Sequence, residues 1–497
     1  MPSKSTRYEY EALLYHRDIM EGLKRKAIVS LVSSYAAQFT TVAANLATKL
    51  ILARLIAPED LGLYALTLLI MLGGDMLIDL GVSQHIVRER DRPYGNLLVL
   101  RIVISAALFA GLELGAPILK FWGAEFPGLV RLMAFTLVIK GFSGVPNLFL
   151  DRELLIHRSL LPQFARIASM GLVSVGLAYF GYGVWALVWG TVAAEAVFGL
   201  LIWRAARGHI PLILTWRHTW ELVWGSKYLF LISIMGFALQ QGDVAIIGGL
   251  LSAKEVGFYA MAFTLIILVS KVVEAAVFRV IYPMFCEYRH DMEKMGRTYR
   301  FATLAITAIE APIYFYLLFN SPIIVPLILG EKWLPSALLM QALAIFGILN
   351  PFSTFGNEIL RATKRDAILT VSTVIGAITL LTTGYMLTSR FGTLGTVAAH
   401  YIIIGSIPTI ITIYRTVTAD FIKLTRQLAI VYATSFSVIA IASIGLSFNP
   451  YIQAFATGLL VPACWYTYYR VFGNGIGRDA LNVILDRRST AVTEAAG

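Results

Sequence analysis

The chain has 497 residues, of which 58% are hydrophobic and only 14% are charged. A soluble globular domain is about 25% charged, so this composition excludes an ordinary soluble enzyme and indicates a chain that crosses a membrane many times. The net charge of +11 is explained by basic cytoplasmic loops, without nucleic acid as a partner. The two cysteines, Cys286 and Cys464, have no ligand-spaced neighbours, so we expect neither a metal site nor a disulfide framework.

Apolar segments long enough to span a bilayer follow one another along almost the whole chain. A membrane helix needs about 20 such residues. Fourteen segments qualify: 28–50, 61–82, 97–118, 127–148, 160–180, 183–203, 226–252, 256–280, 299–319, 335–358, 366–388, 393–414, 427–446 and 450–470. The sequence therefore predicts an all-α, polytopic membrane protein of about fourteen helices.

Lysine and arginine residues alternate between successive connections, as they do when one side of the membrane is cytoplasmic. The basic connections include those with Arg88, Arg90 and Arg92 and with Arg361 and Lys364. This alternation predicts a multi-pass protein of a bacterial inner membrane with both termini in the cytoplasm. The predicted parts are a cytoplasmic segment 1–27, a first lobe 28–208, a linker 209–225, a second lobe 226–415, two further helices in 416–470 and a cytoplasmic tail 471–497.

The second half of the chain repeats part of the first. Residues 51–70 and 246–265 align at an offset of 195, and each segment reads as a helix end, a short turn containing Glu and a second apolar helix. A membrane protein with such internal repeats is typically a transporter whose substrate path lies between the halves. The aligned pairs include Gly62 with Gly257, Tyr64 with Tyr259, Asn45 with Gln240, and Asp79 with Glu274.

Several stretches carry a resemblance to a known family: 53–66, 79–89, 147–163, 243–263 and 328–369. Together they resemble the Wzx-type polysaccharide transporters, or oligosaccharide flippases, of the multidrug/oligosaccharidyl-lipid/polysaccharide superfamily. The resemblance implies two pseudo-symmetric six-helix lobes around a central cavity, with two extra C-terminal helices. It also implies a transporter and not an enzyme, without a cofactor. The implied cargo is a polyprenyl-diphosphate-linked oligosaccharide handled among membrane lipids, with a polymerase and a chain-length regulator as further partners.

Charged residues deep inside membrane helices are expected to face protein or water. Lys140 and Arg166 lie well inside their predicted spans, and we expect them to face the cavity and hold the diphosphate, with Glu195 as their acidic neighbour. The alternative is a structural Arg166–Glu195 salt bridge with no role in transport. Arg101, one turn inside its helix, is expected to extend towards the cytoplasmic headgroups.

The sugars of the implied cargo need amide partners, which Asn45, Gln240 and Gln241 offer, and Lys271 is a further candidate for the diphosphate. Lys271 and Glu274 could instead neutralise each other. The chain has no GxxxxGK[ST] nucleotide-binding motif, so transport against a gradient would be coupled to an ion. His400 reads more readily as a packing residue than as a proton carrier. The candidate coupling carboxylates are Glu195, Asp243, Glu310, Asp79 and Glu274.

Three rival functions remain open from the sequence. A drug or cation exporter of the same superfamily would have a net acidic cavity, and a lipid II flippase would share most features of the main hypothesis. A membrane polysaccharide polymerase or glycosyltransferase would need large outer loops, whereas the outer connections here are short.

Overall fold

A computed structural model describes residues 41–82, 94–207 apart from 154, 226–404, 421–445 and 449–470 apart from 469, together with 210 and 224. These residues form helices and turns without a strand, which confirms the all-α prediction. Helices are the expected result, because a helix satisfies the N–H and C=O groups of an apolar segment within that segment. The helices are α1 (41–55 of the described part), α2 (Pro58–Asp79), α3 (Tyr94–Gly115), α4 (Phe126–Arg152), α5 (Ile156–Tyr179), α6 (Val184–Ala206), α7 (Lys227–Leu250), α8 (Ala253–Glu287), α9 (Met292–Leu329), α10 (Pro335–Leu349), α11 (Pro351–Ala362), α12 (Asp366–Phe391), α13 (Thr393–Ile404), α14 (Phe421–Gly445) and α15 (Pro450–Gly458).

Ten of the helices in the described part are long and apolar enough to cross a membrane, or eleven if α10 and α11 form one broken span. The chain is therefore a multi-pass membrane protein. The count of fourteen and the placement of both termini stay predictions, since segments 1–40, 405–420 and 471–497 lie outside the described residues, as does most of the linker 209–225.

Two predicted spans differ in shape from the expectation. The segment 335–358 is not one straight helix, because the chain bends by 41° between α10 and α11. Pro351 lies at this break, and proline cannot donate the backbone hydrogen bond that would continue α10. Helices α8 and α9, of 35 and 38 residues, exceed the length of about 20 residues that spans the hydrocarbon. The turn that joins them therefore projects beyond the bilayer, where Asp291 caps α9.

The helices assemble into the two lobes that the repeat predicts. In the first lobe α6 packs against α4 and α5, and α4 also packs against α2 and α3. In the second lobe α12 packs against α7 and α13, while α10 packs against α8 and α9. Helix α14 then packs against α9 of the second lobe, and α15 contacts both α9 and α14.

The lobes touch through repeat-equivalent helices, α2 and α8. A Cβ atom on Gly62 would lie 1.7 Å from the carbonyl oxygen of Ala253, and one on Gly257 would lie 1.9 Å from that of Pro58. Pro58 and Ala253 are themselves 195 positions apart, so the two contacts mirror each other. Only a residue without a Cβ permits this approach on either helix. The charge pattern predicts that this end of the bundle faces the periplasm, and we call it the outer end.

Two tryptophans extend the same mirrored contact. Each ends a short 3₁₀ turn, Ala116–Trp122 in the first lobe and Glu331–Trp333 in the second. The Trp122 indole donates to the carbonyl oxygen of Gly248 at 2.5 Å, and the Trp333 indole donates to that of Ala53 at 2.7 Å. Ala53 and Gly248 are again 195 positions apart. Each lobe therefore binds the end of the other lobe's first helix.

Two basic side chains complete this junction. Arg54 donates through Nε to the carbonyl oxygen of Ile328 at 2.9 Å, and Lys332 donates to that of Ile56 at 2.7 Å. We call the junction made by Gly62, Gly257, Trp122, Trp333, Arg54 and Lys332 the outer seam. In this conformation the outer seam holds the two lobes together.

Candidate functional site

A cavity of about 400 Å³ lies among α7, α8, α10, α11, α12 and α13 of the second lobe. Four of the predicted site residues line it: Gln240, Gln241, Asp243 and Lys271. His400 also lines this cavity. We call this space the second-lobe cavity.

Helical periodicity brings these side chains to one place. Phe263, Ile267 and Lys271 follow one another at intervals of four along α8, so they form one stripe that faces the cavity. Gln240 and Asp243 share a face of α7 for the same reason, because residues three apart lie on the same side of a helix. The stripe on α8 places an apolar surface beside the ammonium group of Lys271.

Asp243 is held in a defined orientation on the cavity wall. Its Oδ2 accepts a hydrogen bond from the Tyr259 hydroxyl at 2.6 Å, and its Oδ1 accepts one from the Val244 N–H at 2.8 Å. His400 Nε2 lies 3.8 Å from the same Oδ2, and His400 Nδ1 lies 3.1 Å from the carbonyl oxygen of Thr396. The Nδ1 contact requires that nitrogen to be the donor, so Nε2 is the ring atom that faces the carboxylate.

The sequence suggested a role for His400 but did not identify Tyr259 as a site residue. The packing role expected of His400 fits its Thr396 contact, but the ring also lines the cavity beside Asp243. Tyr259 was not among the predicted site residues. Its repeat partner Tyr64 bonds to Thr191 at 2.8 Å, so the repeat identifies a pair of polar tyrosines whose partners only the structure supplies.

Lys271 is exposed to the cavity and forms no ion pair within 4 Å in the described part of the chain. Lys271 and Glu274 therefore do not neutralise each other through a direct ion pair. Glu274 accepts instead from Asn350 and Thr354, each at 3.4 Å, on the two sides of the α10–α11 break. Lys271 thus remains available to an anion in the cavity.

A second, smaller cavity of about 230 Å³ lies between the lobes, with walls from α1, α2, α5, α6 and α8. Asn45 lines it, so the structure separates Asn45 from its repeat partner Gln240. Lys49 lines it as well, one turn beyond Asn45 on α1. The sequence pattern placed Lys49 near the outer end of its helix, and only the neighbouring helices identify it as a cavity residue.

Lys140 and Arg166 lie elsewhere in the first lobe. Lys140 Nζ is 3.1 Å from the carboxylate of Asp75, and Arg166 is 3.4 Å from that of Glu195, with its guanidinium 5.2 Å from the Phe198 ring centroid. Neither cation lines either of the two cavities described above. Arg166 and Glu195 are neighbours, as expected. A role for Lys140 and Arg166 in holding cargo stays a prediction.

Asp79 and Arg101 form the shortest of these three ion pairs, with Nη1 and Oδ1 2.7 Å apart. Arg101 is only 7% exposed, so the expectation that it extends towards the headgroups is wrong. A nearby carboxylate and close packing against Gly144 hold the guanidinium inside the lobe. Asp79 is thus engaged by a cation, whereas its repeat partner Glu274 accepts only neutral donors.

Glu310 differs from every other candidate. It is 1% exposed, and neither carboxyl oxygen has a hydrogen-bond partner among the described residues. No cluster of three metal-ligating side chains occurs in the part of the chain that was described, so the unpartnered oxygens do not belong to an evident metal centre.

Comparison with known proteins is consistent with this architecture. The sequence model of the family described as "Polysaccharide biosynthesis protein" matches residues 51–338, more than half of the chain. The succinoglycan biosynthesis transport protein ExoT of Rhizobium meliloti (strain 1021) is 24% identical over 338 residues, which cover 66% of each chain. The lipopolysaccharide biosynthesis protein WzxC of Escherichia coli (strain K12) is 22% identical over 68% of this chain and 70% of its own. The chain thus spans about two thirds of the length of these relatives.

Solved structures share the fold. The lipid II flippase MurJ in an inward closed conformation superposes with a TM-score of 0.69 at 13% identity, covering 88% of this chain and 99% of its own. An inward-facing multidrug resistance transporter of the MATE family gives a TM-score of 0.57 at 18% identity, covering 78% and 95%. These structural similarities show the fold, and the match to the sequence model shows the family. The chain belongs to the polysaccharide biosynthesis protein family and has the fold of the multidrug/oligosaccharidyl-lipid/polysaccharide superfamily.

Proposed function

We propose that this protein flips a polyprenyl-diphosphate-linked oligosaccharide from the cytoplasmic to the periplasmic leaflet of a bacterial inner membrane. The flipped unit would serve the synthesis of a surface polysaccharide such as an exopolysaccharide, O-antigen or capsule. Both termini lie in the cytoplasm on this account. A polysaccharide polymerase and a chain-length regulator are the expected downstream partners.

The observation that carries the proposal is the polar content of the second-lobe cavity inside a two-lobed transporter fold. Lys271 supplies an ammonium group that is not paired within 4 Å in the described structure, and a diphosphate needs such a cation. Gln240 and Gln241 supply amide donors and acceptors, which suit sugar hydroxyls. A long lipid tail can remain in the bilayer while the headgroup enters the cavity.

The cavity chemistry favours this cargo over an organic cation. A drug or cation exporter is expected to have a net acidic cavity, but here Lys271 offsets Asp243 and the remaining polar groups are neutral amides, hydroxyls and a histidine. One similar protein is a succinoglycan biosynthesis transport protein and another is a lipopolysaccharide biosynthesis protein, which supports a carbohydrate cargo.

The cargo crosses the membrane by alternating access. In this account the outer seam closes the periplasmic side, and the lobes separate there when the cargo is delivered. The energy comes from an ion gradient, coupled through a carboxylate near the cavity. Lys140, Arg166 and Asn45 of the first lobe are expected to meet the diphosphate and sugars when the lobes rearrange.

Deletion of the gene, followed by complementation, tests the proposal. A deletion strain should lose a surface polysaccharide and accumulate its lipid-linked repeat unit on the cytoplasmic leaflet. Chemical analysis of that intermediate also separates an oligosaccharide flippase from a lipid II flippase. Unchanged polysaccharide in a clean deletion strain without a redundant transporter would refute the function.

Lys271→Gln tests the cavity assignment in the same strain. We expect export to fall at least tenfold, because the change removes the charge that meets the diphosphate. Lys254→Gln is the matched control, since it makes the same change on the same helix near the outer end. Equal export from the two variants, at equal protein levels, would show that the cargo does not use Lys271.

A further inference from the structure

Glu310 is a buried acid without a visible partner. It lies near the middle of α9, is 1% exposed, and has two oxygens that accept no hydrogen bond in the described part of the chain. No lysine, arginine or histidine of the described residues lies within 4 Å of it. An isolated carboxylate in such a place is strongly disfavoured, and a buried acid normally takes up a proton instead.

A second acid lies on the helix that packs beside Glu310. Glu274 is one turn after Ser270 on α8, and Ser270 shares a hydrogen bond with Tyr314, which is one turn after Glu310 on α9. Glu274 is half-buried and accepts weak hydrogen bonds of 3.4 Å from Asn350 and Thr354. Like charges that interact inside a protein oppose simultaneous ionisation, so two such acids tend to hold a proton between them.

We propose that Glu310 and Glu274 form a proton-binding acid pair behind the second-lobe cavity, and that this pair is where proton movement is coupled to transport. The inference rests on the proposed flippase function and specifies its coupling ion. It selects two of the five candidate carboxylates. The other three carboxylates have direct partners: Asp79 pairs with Arg101, Glu195 pairs with Arg166, and Asp243 accepts hydrogen bonds from a hydroxyl and a backbone N–H.

The surroundings of the pair connect it to the cargo. Lys271 is one turn before Glu274 on α8 and lines the cavity. A diphosphate that engages Lys271 therefore places its charge about one turn from Glu274, so cargo binding and proton binding at the acid pair influence each other.

The remaining neighbours are neutral hydroxyl groups. Tyr314 lies one turn after Glu310 on α9, and its hydroxyl shares a hydrogen bond of 2.5 Å with Ser270 in which either hydroxyl could be the donor. Tyr432 of α14 donates to the carbonyl oxygen of Ile348 at 2.8 Å.

The α10–α11 break links the acid pair to the conformation of the protein. Asn350 and Thr354 lie on opposite sides of Pro351 and both donate to Glu274. A change in the 41° bend would alter both donors together, and with them the proton affinity of Glu274. Movement of this broken segment during transport can therefore release or admit the proton.

Infrared spectroscopy of the full-length protein in lipid nanodiscs tests the site directly. At neutral pH the wild type should show the carbonyl stretch of a protonated carboxylic acid. Glu310→Gln combined with Glu274→Gln should remove it, whereas Glu293→Gln should not. Glu293 is the matched control because it lies on the same helix, is exposed and pairs with Arg297. A band that persists in the double variant would overturn the proposal.

Thermal stability provides a second measurement, which does not require transport. The folded pair holds a proton that an unfolded glutamic acid has already released at neutral pH, so stability should fall as pH rises. The melting temperature of the wild type should therefore decrease more between about pH 5 and about pH 9 than that of the double variant. Equal slopes would contradict the proposal. Sodium-dependent stabilisation that the double variant loses would also overturn it, in favour of a metal cation.

Transport assays separate the acid pair from the function itself. In proteoliposomes an imposed proton gradient should accelerate flipping by the wild type, and the double variant should flip at a rate that ignores the gradient. If the double variant still responds to the gradient, the pair is not the coupling site, although the flippase function stands. If the wild type does not flip the lipid-linked oligosaccharide, the proposed function fails, and the infrared band alone decides whether the acid pair exists.

Discussion

A single methyl group at the crossing of α2 and α8 should open the outer seam. In Gly62→Ala the new Cβ atom would lie 1.7 Å from the carbonyl oxygen of Ala253, whereas real Cβ contacts stay above 3.0 Å. The two helices must therefore separate by more than 1 Å, and both partners are backbone, so no side chain can rotate away. Overpacking of this kind costs about 1–3 kcal/mol. Only the conformation that contains the seam bears this cost.

The population of seam-open molecules should rise accordingly. A change of about 1–3 kcal/mol between two states corresponds to about a 5–150-fold shift in their ratio. A cysteine at Leu66 reports the shift, since Leu66 is fully buried where α2 meets Gly248 of α7. In a background with Cys286 and Cys464 replaced by serine, its rate of maleimide labelling should rise by that factor.

The repeat supplies a second test at Gly257, and Gly249 supplies a control. Gly257→Ala should have a similar effect, because its Cβ atom would lie 1.9 Å from the carbonyl oxygen of Pro58 in the mirrored contact. Gly249→Ala should leave the labelling rate unchanged, since nothing lies within 4 Å of a Cβ atom there. The reasoning is refuted if Gly62→Ala labels no faster than Gly249→Ala while both variants fold and insert normally.

Three further predictions concern the seam, the first lobe and the topology. Trp333→Phe keeps a ring but removes one indole donor, so the buried carbonyl that it served loses its partner at a cost of about 1–3 kcal/mol, and Leu66→Cys labelling should increase. Arg166→Ala should impair export and stability together, whereas the Arg166→Ala/Glu195→Ala double variant should recover folding but not export; full recovery of both would mean that the pair is purely structural. A reporter fused after Gly208 should be cytoplasmic, and a periplasmic signal there would exclude the fourteen-span topology.

Much of the architecture could be predicted because it depends on short-range sequence patterns. The offset of 195 predicts two equivalent lobes, and Gly62 and Gly257 do meet at the axis that relates them. Gln240, Asp243 and Lys271 line one cavity, since they lie on neighbouring helices and their faces are set by helical periodicity. Composition alone indicates a helical membrane protein, because lipid permits few other backbone arrangements.

The remaining features depend on rotations and contacts that periodicity does not specify. Sequence gives the depth of Lys140 but not the direction in which its helix face points, so its pairing with Asp75 required the packed lobe, whereas Arg166 and Glu195 were expected to be neighbours. The two tryptophans of the outer seam lie 211 positions apart, not 195, because α8 and α9, of 35 and 38 residues, are longer than α2 and α3, of 22 residues each. Their equivalence becomes visible only through the carbonyl groups of Ala53 and Gly248 that they bind.

The central claim is tested most directly by the leaflet position of the cargo in a purified system. The protein is reconstituted into vesicles that contain the lipid-linked oligosaccharide isolated from the deletion strain, and a membrane-impermeant glycosidase reports which molecules face outward. The account predicts that wild-type protein makes nearly all of the oligosaccharide accessible, that Lys271→Gln slows this at least tenfold, and that Lys254→Gln does not. Accessibility equal to that of protein-free vesicles, with correctly folded protein present, would contradict the account.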